Sequence, residues 1–229
     1  MKQKVCVCGD THGVFDELNM LMHSEEPDIV IQTGDFGYYD RFDDRWSRAP
    51  TGNRIDAISK PANTKLYFVG GNHEHWLQLD NLVRHQKTPE PFEVRKNLFY
   101  CPTGSTLTLD DGTNILFMGG ADSIDKAYRT PGVSWFSQEV LTEKHFYSLP
   151  DELQVDILVS HTCSSSELKD LMKGQHIYNI DPTWEVLEQT ILKYKPSYHY
   201  FSHWHKYAKG KKWECLHMCP HEGWWKWLK

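Results

Sequence analysis

The sequence predicts an α/β fold whose opening sheet is largely parallel. Short β-rich runs alternate with a helical repeat, the middle of the chain carries a hairpin signature, and glycine-and-polar segments follow the strands. Strands are expected at residues 4–8, 28–32 and 65–69. Between the first two, Phe15, Leu18, Leu21 and Met22 recur at helical spacing. Such a strand–helix–strand rhythm implies a right-handed crossover and parallel pairing. Residues 105–109 and 115–118 flank Asp111-Gly112, the pattern of a hairpin with a tight turn. Further strands are expected at 156–160 and 198–202, with a helix at 184–195 opened by Asp181-Pro182, and a last strand near 213–218. The stretch 37–63, with Tyr38, Tyr39, Trp46 and Pro50, reads as a loop with a short helix near 55–59. No repeat, low-complexity tract or domain boundary interrupts the chain, so residues 1–229 are expected to form one domain.

The chain of 229 residues is long enough for one large core. With 39% hydrophobic and 24% charged residues, its composition is globular rather than disordered. No apolar run approaches the roughly 20 residues needed to span a bilayer. The start, Met1-Lys2-Gln3-Lys4-Val5, lacks the apolar core of a signal peptide, and a cytoplasmic protein is expected. The six cysteines suggest no disulfide scaffold, and Cys6 and Cys8 are expected to be buried thiols on the first strand. A net charge of −6 argues against a broad nucleic-acid surface. It permits a phosphate substrate, because two divalent ions would add about four positive charges locally.

The polar residues that suggest chemistry all follow expected strands, where sites of open α/β sheets lie. They are Gly9-Asp10-Thr11-His12-Gly13, Gly34-Asp35, Gly70-Gly71-Asn72-His73-Glu74, His161 and Ser202-His203-Trp204-His205. Each alone is common, and a lone Gly-Asp is usually only a turn. Their order and shared position give them weight. Five strand ends would deliver carboxylate, imidazole and amide groups to one edge of a single sheet. Imidazoles and carboxylates suit Zn, Mn, Fe or Ni, and further oxygen ligands favour Mn or Mg. A carboxylate can bridge two ions about 3.5–4 Å apart, which together clamp a phosphoryl group and activate water.

This ordered set, Asp10-x-His12, Gly34-Asp35, Gly71-Asn72-His73-Glu74, His161 and His203-x-His205, resembles the calcineurin-like metallophosphoesterase superfamily over residues 10–205. The resemblance implies a four-layer α/β/β/α sandwich around a mixed-sheet core. It implies one metal held by Asp10, His12, Asp35 and His205, and a second, bridged by Asp35, completed by Asn72, His161 and His203. The cofactors would be two divalent ions, manganese first, with iron, zinc, nickel or magnesium as alternatives. His73 would assist the leaving group beside Asn72, with water activated by the metals. Two departures from the family's patterns stand out. Ser202 replaces the glycine usual before His-x-His. The Asp-Arg pair that protein phosphatases carry after strand two comes two positions late, as Asp40-Arg41, and Gly70 replaces the arginine expected before Gly-Asn-His-Glu. The missing clamp argues for phosphodiesters, such as cyclic or other small nucleotides or nucleic-acid ends. The alternatives are a phosphomonoesterase acting on nucleotides or proteins and a non-catalytic, metal-stabilised binding scaffold.

Other residues weigh less. The segment 119–129 resembles one in bacterial and phage members, and its Lys126 and Arg129 are candidates for substrate phosphate or for a structural salt-bridge loop. Trp135 and Phe136 are expected to pack that loop, with stacking on a base as the alternative. Cys215, His217, Cys219 and His221 alternate like zinc ligands, but four such residues on a strand span about 20 Å, too far for one ion. Trp224, Trp225 and Trp227, with Lys226 and Lys229, form an aromatic basic tail expected to pack on the sheet, with the rim of the groove as the alternative. His75 is placed to reach the groove.

Overall fold

A computed structural model of the chain describes residues 3–38, 54–173, 175 and 180–228. Two six-stranded mixed sheets pack face to face, with helices on both outer surfaces. The first sheet opens with β1 (Val5–Cys8), β2 (Ile29–Gln32) and β3 (Lys65–Phe68), paired parallel in that order. Helix α1 (Asp16–Glu25) makes the first crossover, and α2 (Trp76–Val83) follows β3. The hairpin β4 (Phe92–Arg95) and β5 (Leu98–Tyr100) then adds β5 parallel to β3 and leaves β4 at the edge. A second hairpin, β6 (Thr106–Thr108) and β7 (Asn114–Met118), opens the second sheet. Helix α3 (Glu143–Tyr147), β8 (Ile157–Ser160), α4 (Ser165–Met172), α5 (Thr183–Tyr194), β9 (Tyr198–Phe201), β10 (Ala208–Lys209) and β11 (Trp213–Cys215) follow. The last strand, β12 (Trp225–Trp227), returns to the first sheet, antiparallel to β1.

Alternation along β1 shows why four layers form. Val5 and Val7 face the second sheet, among Ile31, Ile115, Phe117, Val159 and Tyr200. Cys6 and Cys8 face outward, among Leu18, Leu21 and Met22 of α1. All four residues of β1, β2 and β8 are buried, as strands covered on both sides must be. On the far side Leu116, Met118 and Leu158 pack against Val186 and Leu187 of α5. Truncating a buried leucine such as Leu187 to alanine removes about 2–5 kcal/mol.

The expected strands and the helix at 184–195 are present, though the last strand stops at Cys215. The short helix expected near 55–59 is a 3₁₀ turn at Arg54–Ala57. Residues Tyr39, Asp40, Arg41, Trp46, Pro50 and Lys229 lie outside the described residues. The two sheets and their outer helices form the four-layer sandwich that the resemblance implies, and only the placing of all five strand ends on one sheet is overturned. The hairpin at 105–118 does not extend the first sheet. Its inward residues Ile115 and Phe117 need an apolar face, and Val7, Ile31 and Val69 supply one from the opposite sheet. Strand rhythm reports which segments extend, not where one sheet ends. No helix among the described residues is long and apolar enough to cross a membrane.

Candidate metal centre

The C-terminal ends of β1, β2 and β3 meet those of β8 and β9 across the seam between the sheets. The Thr33 hydroxyl, just past β2, donates to Ser202 Oγ, just past β9, at 2.7 Å. Close approach here demands glycine. A Cβ at Gly34 would strike the His161 ring, and one at Gly71 would strike Asp35. Four residues of the cluster take left-handed backbone conformations: His12, Asp35, His203 and His205, with φ between 45° and 67°. Non-glycine residues rarely adopt this region, and each such position costs on the order of 1 kcal/mol or more. The turns aim their side chains inward, a feature for which the sequence offers no signal.

Two groups of donor atoms result, Asp10, His12, Asp35 and His205 in one, and Asp35, His161 and His203 in the other. In the first, His205 Nε2 lies 3.1 Å from both His12 Nε2 and Asp10 Oδ2. In the second, His161 Nε2 lies 3.3 Å from Asp35 Oδ1, 3.1 Å from Asn72 Oδ1 and 3.2 Å from His203 Nδ1. Asp35 belongs to both: Oδ2 faces His12 at 3.8 Å, and Oδ1 faces His161. All seven residues expected as ligands are thus brought together.

This arrangement fits divalent cations. Asp10 and Asp35 are fully buried, and no lysine or arginine among the described residues pairs with either. Two buried carboxylates need positive charge nearby. Asp10 Oδ2 is buried and lacks an aligned hydrogen-bond donor, despite its nearness to His205. Burial works against a charged His161, yet the Asp35 and Asp10 carboxylates push its pKa up to about 10. Asp35 is held well below the usual carboxylate range, because His161 and His73 outweigh the opposing effect of burial. Burial and the neighbouring His161 push His203 down to about 3, which leaves it a neutral donor. The Thr33 carbonyl sits 3.0 Å from His161 Nδ1 and can only accept. Nδ1 therefore carries a hydrogen and Nε2 is turned to the cluster, the usual arrangement of a metal-binding histidine.

His73 stands beside this cluster. Its backbone N–H donates to Asp35 Oδ1 at 2.8 Å, and burial, aided by the Arg129 cation, lowers its pKa despite the pull of Asp35. Arg129 lies against His73 and Asn72, while Lys126 bonds Asp122 at 2.6 Å and stays half-exposed. Two residues without a sequence signal hold Asn72. Its amide nitrogen donates to Ser123 Oγ at 3.2 Å, and the Ser123 N–H donates to Glu139 at 2.9 Å. Burial pushes Glu139 up to about 7. Glu74 takes the N–H groups of Gly37 and Gly71, which fixes the loops carrying Asp35 and His73.

A cavity of about 940 Å³ opens over Asp35, Asn72, His73, His203 and His205. Its far wall includes Lys126, Arg129, Trp184 and Trp204, with the two indoles 6.1 Å apart. Trp204 meets the ring of His203 edge to face at 5.4 Å. Its position between two expected ligands was the one available hint; Trp184 looks like any helix residue. Phe136 packs on His75 at 4.7 Å, as a packing role predicts. At the end of β11 and past it, Cys215 and Cys219 are buried, and no ligand cluster forms there among the described residues. Trp225 and Trp227 lie on β12, so this part of the tail joins the first sheet as its edge strand rather than packing on it.

A profile of the family described as calcineurin-like phosphoesterase matches residues 3–207. Among solved structures, the chain is similar to TT1561 of Thermus thermophilus. The likeness has a TM-score of 0.50 at 11% identity and covers 94% of this chain and 88% of that one, so it speaks to fold alone. No curated protein matches the sequence.

Proposed function

The chain belongs to the calcineurin-like phosphoesterase family, and we propose that it is a two-metal phosphodiesterase acting on cyclic or other small nucleotides or nucleic-acid ends. The observation that carries this reading is Asp35, which turns one oxygen to each donor group. A carboxylate so placed suits a shared pair of cations. One ion would lie among Asp10, His12, Asp35 and His205, the other among Asp35, Asn72, His161 and His203. The mixed imidazole and oxygen donors favour manganese, with iron, zinc, nickel and magnesium next. When bound, such a pair polarises the phosphoryl group and lowers the pKa of water.

The chain's own residues supply the rest. His73 faces the cavity from outside the donor groups and donates a hydrogen bond to the departing oxygen. Trp204 and Trp184 offer an aromatic wall beside His203, which supports a nucleoside as the organic part of the ester. Lys126 and Arg129 are each already paired with an aspartate, Asp122 and Asp125. That supports a singly charged diester over a phosphomonoester dianion, which needs stronger clamping.

Turnover of bis-p-nitrophenyl phosphate and p-nitrophenyl phosphate with Mn²⁺ tests the proposal, with calorimetry counting the ions. Preference for the diester and two ions per chain are expected. Preference for the monoester would make the protein a phosphomonoesterase. No turnover of either with Mn, Ni, Zn, Mg or Fe would leave the scaffold reading.

A further inference from the structure

The geometry points to Arg129 as a positioning residue that fixes the ring of His73, in place of a direct contact to substrate phosphate. Its guanidinium is committed on three sides. Nε lies 2.8 Å from Asp125 Oδ1. Nη1 donates to the Asn72 carbonyl at 2.9 Å and to the Ser134 carbonyl at 3.5 Å. Nη2 lies 2.8 Å from His73 Nε2 and 3.4 Å from its Nδ1. The side chain is only 5% exposed. A guanidinium has five N–H donors and no acceptor, so these contacts leave about one N–H for anything else.

Two consequences follow from that chemistry. Nη2 lies within 3.4 Å of both ring nitrogens at once, which an in-plane hydrogen bond to one lone pair does not allow, so the cation rests over the face of the imidazole and holds the ring from that side. The second consequence concerns the ring's freedom. Histidine χ2 is broad and roughly two-fold, so an unheld imidazole samples flipped orientations. Here the Asn72–His73 peptide is gripped from both sides. Asp35 Oδ1 takes its N–H and Arg129 holds its carbonyl, while the same guanidinium holds the ring. Asp125 and Arg129 bracket the 3₁₀ turn Lys126–Tyr128, which gives the arginine a short, fixed reach.

The inference leans on the phosphodiesterase reading only for its kinetic test. ¹⁵N NMR of the His73 ring, assigned by comparison with His73→Ala, is recorded on metal-free and Zn²⁺-loaded protein. Arg129→Ala should shift and broaden the His73 ring nitrogens relative to wild type, as a ring released from one orientation would. With bis-p-nitrophenyl phosphate, Arg129→Ala should lose about 100-fold in kcat, the scale of a small misplacement, while KM changes less than about threefold. Added guanidinium ion should restore part of kcat, and Arg129→Lys should recover less. A raised KM with kcat preserved would make Arg129 a phosphate contact, and an unchanged His73 spectrum would also overturn the inference. Should Arg129→Ala fail to fold, Asp125→Asn loosens only the Nε contact and should shift spectrum and kcat in the same direction. If wild type turns over no ester, the phosphodiesterase reading falls, and the comparison of His73 spectra still decides the role of Arg129.

Discussion

Asp10, His12, Asp35, His161, His203 and His205 stand on the ends of buried strands, whereas the facing wall, residues 119–139 with Trp184 and Trp204, is loop, 3₁₀ turn and helix surface. The strand-end cradle is fixed by two packed sheets, and its atoms approach within hydrogen-bond distance of one another. The wall is held by polar pairs: Lys126 with Asp122, Arg129 with Asp125, Ser123 with Glu139, and the Asp122 N–H with Asp181. Changes in the cradle should therefore remove the chemistry, and changes in the wall should alter what is bound and how well it is aligned.

The largest expected effect is in the cradle. Asp35→Asn removes the charge shared by both donor groups. Turnover should fall on the order of a thousandfold or more, several kcal/mol of transition-state stabilisation. Calorimetry should also record fewer ions per chain. Full ion binding with ordinary turnover would show that Asp35 bridges nothing. His73→Ala sharpens the contrast, since it stands outside the donor groups. It should lower kcat by roughly 10²–10⁴ while elemental analysis still counts two ions. Loss of metal in that variant would move His73 into the cradle.

The cradle was legible in the sequence because each of its members follows a strand whose apolar run is plain, and because strand ends converge. The seam was not legible. Both sheets are read as the same kind of run, and only the partners of Ile115 and Phe117 reveal that the hairpin starts a new sheet. The wall was half legible. Lys126 and Arg129 stood out as cations, but their partners are set by a tertiary arrangement that no spacing encodes. Ser123 and Glu139 are 16 residues apart, and Asn72 lies 51 residues before Ser123.

Wall substitutions should have intermediate effects. Trp184→Ala should raise KM for nucleotide diesters by about tenfold relative to methyl p-nitrophenyl phosphate, matching roughly 1–3 kcal/mol per stacked base. Equal changes for both esters would remove the base from the indole wall. Glu139 gives a pH signature. Its folded pKa, about 7, lies above the ordinary 4.5, so the folded state binds more protons across that window. Stability should fall as pH rises from about 4.5 through 7 and level off above it. Glu139→Gln should flatten this slope in thermal unfolding at several pH values. An unchanged slope would assign it to other groups.

The smallest effect is expected at the seam itself. Ser202 occupies the position where the resembled pattern carries glycine, and its hydroxyl accepts from Thr33 Oγ1 at 2.7 Å and donates to the Thr33 carbonyl at 3.3 Å. Ser202→Gly deletes this bridge between the sheets, a loss of about 1 kcal/mol for the hydrogen bonding and about 0.5–1 kcal/mol for backbone freedom. Thr33 is not stranded, because its hydroxyl also reaches the Cys8 carbonyl at 3.1 Å. For a chain of this length, Tm should fall by about 3–8 °C. Metal content and kcat should stay close to wild type, because the left-handed turn at His203 and the His161–Thr33 hydrogen bond remain. A drop in kcat comparable to that of His73→Ala would instead mean that the cradle holds its geometry through this hydroxyl, and that the two sheets are less rigidly joined than their shared core implies.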